Sequence, residues 1–67
     1  MTQEYREERF GGARVRVTVV DGVDTVKHVY APDDRTVDHR IDFLAGDKIR
    51  TTYYRPDGGV HSVVLDD

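Results

Sequence analysis

Cysteine and tryptophan are missing from this chain, serine occurs once, and leucine and proline twice each. Without cysteine no disulfide can brace the fold and no thiolate zinc site can form. The single serine, Ser62, follows His61. Neighbouring residues on a flat strand point to opposite faces, so these two are not expected to meet as nucleophile and base. No apolar run approaches the ~20 residues that span a bilayer, and the N-terminus lacks the apolar core of a signal peptide. Excess base is missing too. Ten Lys and Arg against thirteen Asp and Glu leave a net charge of −3, so no global field attracts a polyanion. The expectation is a soluble, cytoplasmic, non-catalytic domain with no cofactor and no membrane partner.

What is present is valine and punctuation. Eleven valines fall in short runs between Asp-, Gly- and Pro-containing turns. Acids are sorted along the chain: all three Glu lie within the first eight residues and all ten Asp after position 20. Asp competes with the backbone for hydrogen bonds and favours turns, whereas Glu tolerates a helix. Residues 1–12 therefore read as a charged N-terminal helix or arm. Thr2 is its candidate N-cap, and Gly11-Gly12 its stop. Residues 13–67 read as one β domain. At 67 residues the chain is small enough to bury only about 60% of its unfolded surface. Such a sheet must close on itself, lie under a helix or pair with a second copy.

From Ala13 the pattern alternates with period two, Val15, Val17 and Val19 against Arg14, Arg16 and Thr18. Asp21-Gly22 predicts a two-residue hairpin turn that pairs Val20 with Val23, Val17 with Val26 and Val15 with His28. Pro32 ends the next strand near Tyr30. A third strand over 37–44 returns through Ala45-Gly46-Asp47 into residues 49–54, placing Ile41 by Thr51, His39 by Tyr53, Phe43 by Ile49 and Asp42 opposite Arg50. After Arg55-Pro56-Asp57-Gly58-Gly59 two registers remain open. One sets Tyr53 by His61; the other slips by one residue and turns Val60, Ser62 and Val64 to that face. The expected architecture is all-β: a five-stranded antiparallel meander tending to a small SH3-like barrel, with the N-terminal helix or arm over one end.

Three histidines share the apolar side in these registers, but His39 and His61 flank Tyr53 about 10 Å apart, too far to close on one metal ion without strong curvature. No metal site is therefore expected. Asp33-Asp34 lacks calcium-loop spacing, Asp66-Asp67 reads as a solubilising tail, and Gly58-Gly59 leads into a strand rather than a phosphate-binding helix. The candidate binding residues are Arg16, Arg40, Arg50 and Tyr54, gathered on the other sheet face. They suit a small interaction module binding a protein partner, or a second copy of itself, through a sheet face or edge. A small barrel binding single-stranded nucleic acid is the alternative, disfavoured by the acidic balance.

Overall fold

A computed structural model describes residues 1–66; Asp67, and with it the expected Asp66-Asp67 tail as a pair, lies outside the described residues. Six strands, β1 (Gln3–Phe10), β2 (Ala13–Val20), β3 (Val23–Tyr30), β4 (Val37–Leu44), β5 (Asp47–Tyr54) and β6 (Val60–Leu65), form one antiparallel sheet in chain order. Gly11-Gly12, Asp21-Gly22 and Ala45-Gly46 each hold two successive positive φ angles, 58° and 84°, 51° and 80°, 51° and 85°. That is the two-residue hairpin geometry whose twist matches the flanking strands.

Two expectations are corrected here. The N-terminal segment is a strand, not a helix, so the meander has six strands instead of five. A nine-residue helix is too short to persist alone. As β1 the same residues gain a full ladder with β2, from Gln3 opposite Val20 to Phe10 opposite Ala13, and cross-strand partners such as Glu7 with Arg14 at 3.2 Å. The sheet is also open rather than a closed barrel: among the described residues β1 and β6 do not pair. A charged edge strand and an apolar one offer each other little.

Each of the last four strands carries one extra residue against its predecessor: Thr25, Asp38, Ile49 and His61. Such bulges bend the strand and turn every later side chain to the opposite face. The bulge at Thr25, whose hydroxyl donates to the Thr18 carbonyl at 3.0 Å, moves Lys27 opposite Val17 and Val29 opposite Val15. Lys27 and His28 thus exchange the faces that simple alternation assigns them, and Val26 and Tyr30 move with His28. The bulge at Ile49 likewise replaces the expected Phe43–Ile49 pair with Phe43–Lys48, while Ile41–Thr51, His39–Tyr53 and Asp42–Arg50 stand as expected. In β6 the slipped pairings are adopted beyond the His61 bulge, with Ser62 opposite Tyr53 and Val64 opposite Thr51, but Val60 pairs with Tyr54 and so stands on the opposite face from them.

The core is small. Val15, Val17 and Val19 are its buried hydrophobic residues, with Val29 packed against them. They share a valine face with Arg6, Lys27, His39, Ile41, Thr51 and Val64. Arg6, opposite Val17 on β1, reaches Asp24 on β3 at 3.0 Å and Glu8 at 2.7 Å. Its stem therefore crosses β2 and covers the valines while its charge stays wet.

Candidate functional site on the arginine face

The opposite face is built around a row of directly opposed residues: Glu7 on β1, Arg16 on β2, His28 on β3, Arg40 on β4 and Thr52 on β5. Tyr5, Arg14, Tyr30, Asp42, Arg50 and Tyr54 flank it. All four residues singled out in the sequence, Arg16, Arg40, Arg50 and Tyr54, stand on this face, but they are not equivalent.

Arg40 and Arg50 are locked together. Asp42 is buried between them, accepting from Arg40 Nε at 3.1 Å through Oδ1 and from Arg50 Nε at 3.1 Å through Oδ2. Two guanidiniums share one carboxylate, so the trio keeps one excess positive charge. Arg14 pairs with Glu7 and lies over the Tyr30 ring at 4.4 Å. Its Nη1 donates to the Asp34 carbonyl at 2.8 Å, and Arg9 binds the Asp34 carboxylate at 3.1 Å.

Arg16 is the exception. Its guanidinium stacks on Tyr5 at 4.2 Å from the ring centre. Among the described residues it meets no carboxylate, and its Nε is shielded from water without a hydrogen-bond partner. His28 sits beside it, between Arg16 and Arg40. Partial burial and then these two cations hold its imidazole below the ordinary histidine value, with only Asp42 opposing them.

Two hollows of about 370 Å³ each meet at His28 and Val37. One is walled by Tyr5, Arg16 and Tyr30; the other by Tyr54, Pro56 and Gly58. Local bonding fixes two sides of the second hollow, at Thr36 and at the 55–59 turn. Asp33 Oδ1 accepts the backbone N–H groups of Arg35 and Thr36, each at 2.9 Å, and Oδ2 accepts the Thr36 hydroxyl at 2.6 Å. Those bonds, that of the hydroxyl first, hold the Asp33 carboxyl down to about 2. In the 55–59 turn Gly58 N–H donates to the Arg55 carbonyl at 2.9 Å, and Asp57 Oδ1 accepts Gly59 N–H at 2.8 Å.

The histidines do not converge as alternation implies. His28 faces the arginines, His39 lies on the valine face against Tyr53, and His61 is itself a bulge. No group of three His, Cys, Asp or Glu side chains able to hold a metal ion occurs among the described residues. The bulge also overturns the expectation that His61 and Ser62 stay apart, since Nδ1 and Oγ lie 3.2 Å apart. Both are on the edge strand, and among the described residues no carboxylate orients the ring, so a nucleophile lacks its supporting group. No helix among them is long and apolar enough to cross a membrane.

Sequence reasoning missed Tyr5, Tyr30 and His28 as parts of this face. Tyr5 was hidden by the helical reading of residues 2–10, although Gly-Gly is itself a hairpin signal. His28 and Tyr30 were displaced by a bulge that leaves no local mark. No protein-family model, no curated protein and no solved structure matches this chain.

Proposed function

We propose that the chain is a non-catalytic interaction module whose arginine face binds an acidic segment of a protein partner. The observation that carries this reading is Arg16, a partly buried guanidinium with no acid partner among the described residues, lining a hollow walled by Tyr5 and Tyr30. A partner carboxylate at Arg16 would give the guanidinium the charge partner it lacks within the chain. Arg and Tyr are also the side chains that dominate protein–protein hot spots.

The face suits a folded or extended acidic protein segment better than a nucleic acid strand. Tyr5 and Tyr30 each have one ring face covered by a guanidinium, which leaves less surface for stacked bases. The net charge of −3 works against a polyanion at long range.

Titration of the labelled protein with an acidic, aromatic-containing peptide, and separately with a single-stranded oligonucleotide, distinguishes the readings. Peptide binding should shift the amide resonances of Arg16, His28 and Arg40, and Arg16→Gln should weaken it at least tenfold while preserving the spectrum elsewhere. Oligonucleotide binding that falls steeply with salt, with no response to peptide, would replace the protein partner by a nucleic acid.

A further inference from the structure

The two edges of the sheet are unlike. Five of the eight β1 residues are charged, Glu4, Arg6, Glu7, Glu8 and Arg9, and charge is a common guard against edge-to-edge pairing. β6 carries no Asp, Glu, Lys or Arg. Four of its side chains are apolar and exposed, Val60, Val63, Val64 and Leu65 at 51, 51, 49 and 71%. The inner side of β6 is fully engaged with β5, the pairing extending to Asp66 N–H on the Ile49 carbonyl at 3.0 Å. The outer side presents the remaining backbone donors and acceptors with no charged gatekeeper among them.

Surface area points the same way. The chain exposes 4857 Å², whereas a compact monomer of its mass exposes about 4,300 Å². A single layer with three buried valines has surface left to cover.

We propose that β6 pairs antiparallel with β6 of a second copy, joining two six-stranded sheets into one continuous sheet. The two-fold axis of such a pair stands perpendicular to the sheet, so like faces adjoin. Val63 and Leu65 extend the arginine face and Val64 the valine face, and in any antiparallel register no charged side chain opposes another across the seam. The same symmetry leaves a charged β1 at each outer edge. The assembly therefore stops at a dimer, where head-to-tail pairing of β6 on β1 would propagate. Both arginine faces end on the same side, presenting two copies of the hollow to one partner. No β6 residue lines that hollow, so dimerisation and partner binding fail independently.

Sedimentation of the full chain from low to high micromolar concentration should show a dimer. Val63→Lys should yield a monomer whose circular dichroism remains β-type, and Arg16→Gln should stay dimeric. Should the lysine variant lose its fold, single cysteines decide the matter in this cysteine-free chain. An even antiparallel register places one of Ser62, Val63 or Val64 opposite its own copy, within disulfide reach. Ser62→Cys, Val63→Cys or Val64→Cys should then cross-link on oxidation at least fivefold more than Glu7→Cys on β1. A wild type that remains monomeric, a folded Val63→Lys dimer, or equal cross-linking at β1 would overturn the proposal.

Discussion

Val17 shows how little apolar burial holds this sheet. It is the one fully buried large side chain among the described residues, at 0% exposure, roofed by Arg6 on one side and opposed by Lys27 on the other. Val17→Ala should cost about 2 kcal/mol. A chain of this length has only about 3–10 kcal/mol in total, so urea denaturation should show a large drop in midpoint with little change in slope. His28 supplies a pH dependence of definite sign. Its imidazole is held below the ordinary value by burial and by Arg16 and Arg40. The unfolded chain therefore takes up the proton first as pH falls through about 6.5. Stability is greatest above that pH, declines below it, and levels off once the folded imidazole also protonates. Denaturation at pH 7.5 and 5.5 should show His28→Gln losing less stability on acidification than the wild type; an equal loss would remove His28 as a source.

At the scale of the strand and turn, Ala45 is the conformational misfit. It holds φ at 51° ahead of Gly46 at 85°, where Asn or Gly is ordinarily found because a Cβ in the left-handed region costs about 1–2 kcal/mol. Ala45→Asn keeps the β4–β5 hairpin and should raise stability by about 1 kcal/mol, read as a higher thermal midpoint. The Asp21-Gly22 turn was legible in the chain, as were the limits of β2 to β4, whereas Gly11-Gly12 reads as a helix stop and β5 begins at Asp47 rather than Ile49. The bulges were not legible. Thr25, Asp38, Ile49 and His61 differ in size, branching and charge, and each is extra only relative to the strand beside it. A pattern read along one strand contains no term for that fit. Arg16, Arg40, Arg50 and Tyr54 share a face regardless, because two bulges between β2 and β4 shift pairings without separating those positions. Lys27, which simple alternation would place on that same face, instead lies over Phe43 on the valine face, 5.5 Å from the ring centre.

For the molecule as a whole, the ratio of surface to core is the governing quantity. An open sheet of this size has two exposed faces and two edges, and closure, a covering helix or a partner are the available remedies. The helix expected over one end became an edge strand, and the sheet did not close. Association through β6 is the remedy that remains. It makes folding and dimerisation one linked equilibrium, so the thermal midpoint should rise with protein concentration, and that dependence should vanish in Val63→Lys.

Local conformational cost was enough to determine where this chain reverses after residue 20, which segments between residues 13 and 65 run extended, and that valine and arginine occupy opposite sides of β2. Those choices depend on a few adjacent residues and their own dihedral preferences. Only the assembled sheet decided that residues 3–10 join as a strand, that His28 lies between two arginines, and that Arg16 meets no carboxylate among the described residues. Each of these depends on what a neighbouring strand supplies across a gap of about 5 Å, a quantity absent from any one segment.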